Sequence, residues 1–573
     1  MNPAEIAAQT ALDSVYQCLD EKICFRFEAG AGSGKTYALI KAIEYLIKHK
    51  ASALLKQNQQ VVCVTYTNVA CDEIKARIDS HPVVHVSTIH AFCWLVIKDF
   101  QPYLRRELPN LNDKWPEILK DIGEIGPRTV TYETGFREVG EDFVAIHHDD
   151  VLLLIVKLME YPKFRAILTS RYPILLIDEY QDTDIVIAER LKKNFLDIDS
   201  HLLLGFFGDH WQKVYETGCG IIDHPNLQVI NQGANFRSAP IIVHCLNRMR
   251  IELPQQVVDP QATGFVGIYH TNSWEGDRRI GAHWAGDLPI EIAHKYFDIL
   301  KNRLVTDGWD FSPDKTKILM LTHRGLAVEQ DYSSIIDIFP NNEAYIQKQD
   351  SHIAFFADKL EPACTAYQNK RFGEMFLILT AKTTAIRTLD DKTQWAKSMD
   401  KLMKLRTEGT VGTIIDHLRK SKFPRLPDEV ERKELELKTF QQENGIEEPH
   451  SLKRLRQLRE ISYREIINLT RFINDETPFS TKHGVKGEQY ENVLVIFGRG
   501  WSRYNFNQFL EWAGSSNGIP SDQLDIFERN RNLFYVTCSR PKKRLALLFT
   551  QKLSEKAINT LTLWFGNSTI HPL

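Results

Sequence analysis

The chain has 573 residues, 43% of them hydrophobic and 25% charged, with a formal net charge of -3 and a pI near 6.7. That length exceeds what one hydrophobic core serves, so several domains or a large inserted architecture are expected, and no basic excess announces nucleic acid. The nine cysteines form no C-x-x-C pair or Cys/His cluster, no apolar run spans a bilayer and no signal peptide opens the chain. Disulfide, zinc and iron–sulfur frameworks and membrane spans are thereby excluded, and a cytoplasmic protein is expected.

In chain order, residues 1–22 read as a helix whose Gln9 and Gln17 are candidates for an adenine edge. The apolar run Ile23 to Phe27 then leads into Glu28-Ala29-Gly30-Ala31-Gly32-Ser33-Gly34-Lys35-Thr36 and a helical pattern from Tyr37 to Ile47. Strand, glycine-rich turn, helix is the context of a phosphate-binding loop: backbone N–H groups converge, small residues permit close approach, and the helix N-terminus adds positive potential. Lys35 is placed to reach the β- and γ-phosphates of ATP, and Thr36 to bind Mg²⁺. Val61 to Asn68 reads as a buried parallel-type strand with a polar end. Its Tyr66 offers a ring for base stacking, and the next helix, from about Val69, offers N–H groups to a backbone phosphate. The strand Val83 to Val86 ends in Ser87-Thr88-Ile89-His90-Ala91-Phe92, again polar and aromatic. Residues 101–151 lose the β/α rhythm and are expected to form a small inserted subdomain. The rhythm resumes at Ile174 to Ile177, which delivers Asp178 and Glu179. After a phosphate loop, such a pair suits Mg²⁺ held through water by Asp178 and an attacking water oriented and deprotonated by Glu179.

The order of these motifs resembles the superfamily 1 helicases of the UvrD/Rep/PcrA type. Residues 29–36 match the first motif of that family. Thr65-Tyr66-Thr67-Asn68 looks like T-F-T-N, Thr88 to Phe92 like T-x-H-x-F, and Asp178 to Asp182 like D-E-x-Q-D. Further on, Gly208-Asp209-His210-Trp211-Gln212-Lys213-Val214-Tyr215 is similar to G-D-x-x-Q-x-I-Y. The resemblance implies that Gln212 touches the γ-phosphate, that Tyr215 stacks on bases, and that Tyr66, Asn68, Thr88 and His90 lie toward DNA. A second aromatic of the family is Thr217 here, with Trp211 as a possible substitute. Asn235-Phe236-Arg237-Ser238 looks like N-Y-R-S, implying an adenine stacked on Phe236 and a γ-phosphate contact from Arg237. Thr481 to Glu488 resembles T-x-H-x-x-K-G-x-E, which puts Glu488 on the ribose and Thr481 and His483 toward DNA. Leu533 to Pro541 looks like L-x-Y-V-x-x-T-R-A and makes Arg540 the arginine finger.

The implied fold is α/β: two RecA-like parallel-sheet lobes, residues 1–100 with 152–228 and residues 229–340 with 471–573. Each carries an insertion, the second a helical one over 341–470. Its most basic runs, Arg419 to Lys422 and Lys453 to Arg459, read as solvated helix faces or as a DNA or partner contact. The implied activity is ATP-dependent 3′→5′ translocation on single-stranded DNA with unwinding of tailed duplex. Both insertions are short for that family. The alternative is a DNA-stimulated sensor or regulatory subunit beside a nuclease, as in the UvrD-like subunit of the Gabija anti-phage system.

Overall fold

The computed structural model describes the chain apart from residues 121–122, 133–135, 199–200, 214, 282, 321–322, 340, 380–385, 441–447, 482–488, 499–503 and 516–517. Helix α1 (Pro3–Glu21) starts at a reciprocal capping box between Asn2 and Glu5, with Pro3 inside its first turn. Then come β1 (Phe25–Ala29), α2 (Lys35–Lys56), β2 (Val61–Thr65), α3 (Asn68–Arg77) and β3 (Val84–Thr88). After residues 101–171 the sheet continues with β4 (Ile174–Asp178), β5 (Leu203–Gly208) and β6 (Gln228–Gln232).

Among the described residues these six strands form one parallel sheet in the order β3-β2-β4-β5-β1-β6. The apolar runs of β2 and β4 are buried throughout, as expected of a parallel sheet covered on both faces. The sheet extends past residue 228, where the first lobe was expected to end. Strand β6 is an edge strand, Gln228-Val229-Ile230-Asn231-Gln232, with only Ile230 and Gln232 buried, so its sequence carries little apolar signal.

The second sheet comprises β7 (Phe265–His270), β8 (Thr316–Met320), β9 (Phe479–Thr481), β10 (Tyr490–Phe497), β11 (Pro541–Phe549) and β12 (Ile570–Pro572). Its order is β9-β8-β10-β11-β7-β12, all parallel. Counted from its own first strand, that is the order of the first sheet. Helices α4 (Pro240–Met249) and α5 (Leu524–Cys538) contribute Ile242, Leu246, Phe534 and Cys538 to the core on one face of this sheet.

Each expected insertion packs on one face of a sheet. Leu104, Trp115, Val130 and Val144 share a core with Val62, Ile177 and Phe206 of the first sheet. Tyr345, Phe356, Trp395, Ile414 and Tyr463 share one with Ile318, Leu494 and Leu548 of the second. Three arginines of its basic runs pair within the helical insertion: Arg419 with Glu431 at 3.0 Å, Arg456 with Glu448 at 2.6 Å, and Arg459 with Asp416 at 2.8 Å and with Glu434. No helix of the described residues is long and apolar enough to cross a membrane.

Candidate functional site

Between the sheets lies a cleft of 390 Å³. The first sheet meets it with residues that follow its strands: the loop 29–37 after β1, Glu179 after β4 and Gln212 after β5. The second sheet meets it with residues that precede its strands, Gln489 before β10 and Arg540 before β11. The lobes are thus stacked head to tail, carboxyl edge against amino edge.

Three of the helices that leave the carboxyl edge of the first sheet differ in their caps. Helix α3 is capped by Thr67, whose hydroxyl accepts from the Ala70 N–H at 3.2 Å, and helix Ile89–Ile97 by Thr88, accepting from Ala91 at 3.4 Å. Helix α2 begins on Gly34, in the left-handed region at φ 78°, with no side-chain cap. Its first-turn N–H groups therefore face the cleft without a protein side chain on them, the arrangement that receives a phosphate. Ser33, 1% exposed, keeps a hydroxyl with no partner among the described residues, and so does the Nε of Arg237. These buried donors fit an oxyanion.

The loop glycines also serve the lobe contact. A side chain on Gly32 (φ 74°) would come within 2.8 Å of Arg237 Cβ, and one on Gly30 within 2.8 Å of Gln255 Nε2. The Phe236 N–H donates to the Gly32 carbonyl at 2.8 Å, and Asn235 Nδ2 to that of Ala31 at 3.1 Å. The segment after β6 is laced onto the loop.

Lys35 Nζ lies 2.5 Å from Glu179 Oε2. Burial works against the ammonium, but the carboxylates of Glu179 and Asp178 outweigh it and hold the Lys35 pKa above the ordinary lysine value. Asp178, 6% exposed, closes β4. Glu179 sits at φ 50°, a strained conformation for a non-glycine residue, of the kind that persists where surrounding contacts over-determine it. Thr36 stands in the first turn of α2, on the cleft wall.

From the other side, Arg237 Nη1 donates to the Ser539 carbonyl at 3.1 Å and Arg540 Nη2 to Gln212 Oε1 at 2.9 Å. Burial, then repulsion from Arg540, brings the Arg237 pKa down to about 9. Two guanidiniums held beside Lys35 make an anion-attracting wall. Phe236 and Tyr37, both exposed, line the same cleft, as does Arg77 of α3. Sequence reasoning singled out neither Tyr37 nor Arg77; the position directly after Thr36, on the rim of the loop, was the available signal. Gln9 and Gln17 bond instead to Asp13 and Glu21 of their own helix, at 2.7 and 2.9 Å.

Of the residues expected toward DNA, Tyr66 and Tyr215 stack with ring centroids 4.7 Å apart and planes 26° from parallel. Both are partly exposed, and Asn68 beside them is exposed. Thr88 serves as the helix cap, which leaves a hydroxyl able to donate. His90 lies edge-on to His148 at 5.6 Å, and burial followed by that neighbour lowers its pKa, so it is neutral at pH 7. Thr481 ends β9, with its side chain outside the described set, and His483 and Glu488 lie outside the described residues. Trp211 does not replace the aromatic missing at Thr217. It packs into the core of the second sheet, edge-on to Tyr535 at 5.2 Å, with the guanidiniums of Arg531 and Arg250 at 4.5 and 5.2 Å.

Two RecA-like lobes with a glycine loop, a paired Lys and Glu, and opposed arginines define a two-lobed protein of the P-loop class. The chain resembles the UvrD/REP helicases: the UvrD/REP helicase N-terminal domain matches its residues 17–125 and 129–217. It is 24% identical to the Gabija protein GajB of Bacillus cereus (strain HuB5-5), over 96% of each chain. It is also 24% identical to the ATP-dependent DNA helicase PcrA of Bacillus subtilis (strain 168), over 39% of this chain and 36% of that one. PcrA of Staphylococcus aureus (strain Mu50 / ATCC 700699) is 23% identical over 39% and 37%.

Proposed function

We propose that the cleft binds ATP with Mg²⁺ and that its hydrolysis drives movement along single-stranded DNA. The observation that carries this is the convergence of Lys35 and Glu179 from one lobe with Arg237 and Arg540 from the other on one cleft. The uncapped N-terminus of α2 and Lys35 take the β- and γ-phosphates, and the adenine lies between the rings of Phe236 and Tyr37. Thr36 and Asp178 would hold Mg²⁺, which when bound neutralises charge between the phosphates. Glu179 orients and deprotonates the attacking water. Arg237 and Arg540 stabilise the charge that develops on the transferred group, with Gln212 between the lobes. Because these cations come from the opposite lobe, hydrolysis requires cleft closure, and the closing lobes displace a strand held on Tyr66 and Tyr215. The residues forming the two lobes and their insertions are those given by the sequence reading, with β6 added to the first lobe. On the UvrD/Rep likeness, travel is 3′→5′.

A second reading is favoured by the likeness to a Gabija protein, which spans 96% of both chains where that to PcrA spans 39%. In it the chain is a DNA-stimulated ATPase in an anti-phage complex whose cleavage is supplied by a nuclease subunit, with little unwinding of its own. ATP turnover with and without single strands, run beside strand displacement on 3′- and 5′-tailed duplexes, tests both. Stimulated turnover with displacement only from 3′ tails supports the first reading; stimulated turnover without displacement supports the second. Turnover indifferent to DNA overturns both.

A further inference from the structure

Behind the cleft lies an ionic joint that the cleft chemistry does not use. Arg250, the C-cap of α4 in the second lobe, is 1% exposed. Its Nη1 donates to Asp209 Oδ1 at 2.6 Å and its Nη2 to Glu28 Oε1 at 2.9 Å, so one guanidinium bridges two strand ends of the first lobe. Glu28 also accepts from Tyr180 Oη at 2.6 Å and lies 2.7 Å from His210 Nδ1. Burial alone would raise the Glu28 pKa, but the bonds from His210 and Tyr180 and the charge of Arg250 outweigh it and hold it at about 2. Glu28, Asp209 and His210 bring ligand atoms within 4.8 Å of one another, a grouping that could hold a metal ion. Here Arg250 already supplies the positive charge between the two carboxylates, and a divalent cation beside it would be repelled.

The joint continues into the cleft. Asp209 Oδ2 accepts from Gln212 Nε2 at 2.7 Å, and Gln212 Oε1 accepts from Arg540 Nη2 at 2.9 Å. A carboxylate only accepts and a guanidinium only donates, so the Gln212 amide has one orientation that satisfies both ends. Turning it over breaks two bonds at once.

We infer that Arg250 is a positioning residue: by fixing Asp209 it fixes the Gln212 amide, and through that amide it holds Arg540 in register with the first lobe's half of the site. This rests on the reading of the cleft as an ATP site. Glu28 anchors the other arm of the guanidinium, and Trp211 and Tyr535 flank it at 5.2 and 5.7 Å, so the side chain is held from both lobes.

The test uses the full chain with saturating single-stranded DNA. In Arg250→Met, kcat for ATP should fall about 100-fold, the scale of a displaced catalytic constellation. Affinity for a fluorescent non-hydrolysable ATP analogue should change by less than about threefold, because ground-state contacts with the loop remain. Arg250→Lys, which keeps the charge but not the fork, should recover part of kcat. Should Arg250→Met fold poorly because the buried Glu28 carboxylate loses its guanidinium, the double variant Glu28→Gln with Arg250→Met removes that charge, keeps an acceptor for Tyr180, and carries the same expectation. Unchanged kcat, or parallel loss of kcat, analogue affinity and melting temperature, overturns the inference. Lys35→Ala separates the two levels: hydrolysis surviving there removes the cleft reading itself, whereas its loss there with full kcat in the Arg250 variants removes only the positioning role.

Discussion

The two sheets run six parallel strands in the same relative order, yet they present opposite edges to the cleft. In the first, the carboxyl edge carries the glycine loop, Asp178, Glu179 and Asp209, all polar and close to the backbone. In the second, the equivalent edge carries a mostly apolar cavity of 390 Å³ among Met320, Ile496, Phe297 and Trp284, with no glycine loop after β7. What the second lobe gives the cleft comes instead from its amino edge, as Arg540 just before β11, and from Arg237 ahead of α4. One topology thus supports two chemistries. Open α/β sheets offer a crevice at their carboxyl ends, and the residues placed there decide its use.

The largest test of that contrast removes one cation from each lobe. Lys35→Ala strips the carboxyl edge of the first sheet and Arg540→Ala the amino edge of the second. Each is expected to lower DNA-stimulated ATP turnover by about 1000-fold or more, the scale of an arginine finger, as read by steady-state phosphate release. Near-normal turnover in Arg540→Ala would mean that the second lobe closes the cleft without taking part in its chemistry.

A smaller effect is expected at the paired rings. Tyr215→Ala leaves Tyr66 without its 4.7 Å partner and should raise the concentration of single strand needed for half-maximal stimulation about tenfold, the value of one stacked base. Basal turnover should fall less than stimulated turnover. Equal loss of both would move Tyr215 from the strand to the scaffold around Gln212.

The candidate residues most legible in the sequence are those that stand close to one another in it. A phosphate loop is a backbone shape, so Gly32, Gly34, Lys35 and Thr36 are contiguous, and the carboxylates after β4 follow four buried apolar residues directly. The α/β class followed from such units, and the parallel sheets agree with it. The joint of Glu28, Asp209 and Arg250 was illegible because its members stand 181 and 41 residues apart and look like ordinary charges until the lobes meet. The place of Trp211 was illegible for the same reason: an aromatic beside a strand-facing motif resembles a stacking platform, but its ring is captured by Arg531 and Tyr535 of the other lobe. Strand β6 was missed because an edge strand needs little apolar surface.

The smallest expected effect is also the sharpest on the contrast between the carboxyl edges. Trp284 is half-buried on the wall of the second sheet's cavity, with the Arg279 guanidinium 3.9 Å from its ring centre. Trp284→Ala removes a cation–π contact worth about 0.5–1 kcal/mol at such a site, so a slight loss of thermal stability is expected. Basal ATP turnover and KM should stay within about twofold of the parent, since none of this cavity's wall belongs to the cleft between the sheets. If basal KM for ATP rises instead, the carboxyl edge of the second sheet communicates with the nucleotide, and the division of chemistry between the two edges fails. If only the stimulation by DNA changes, the two edges divide the work differently: one holds the nucleotide and the other answers to the strand.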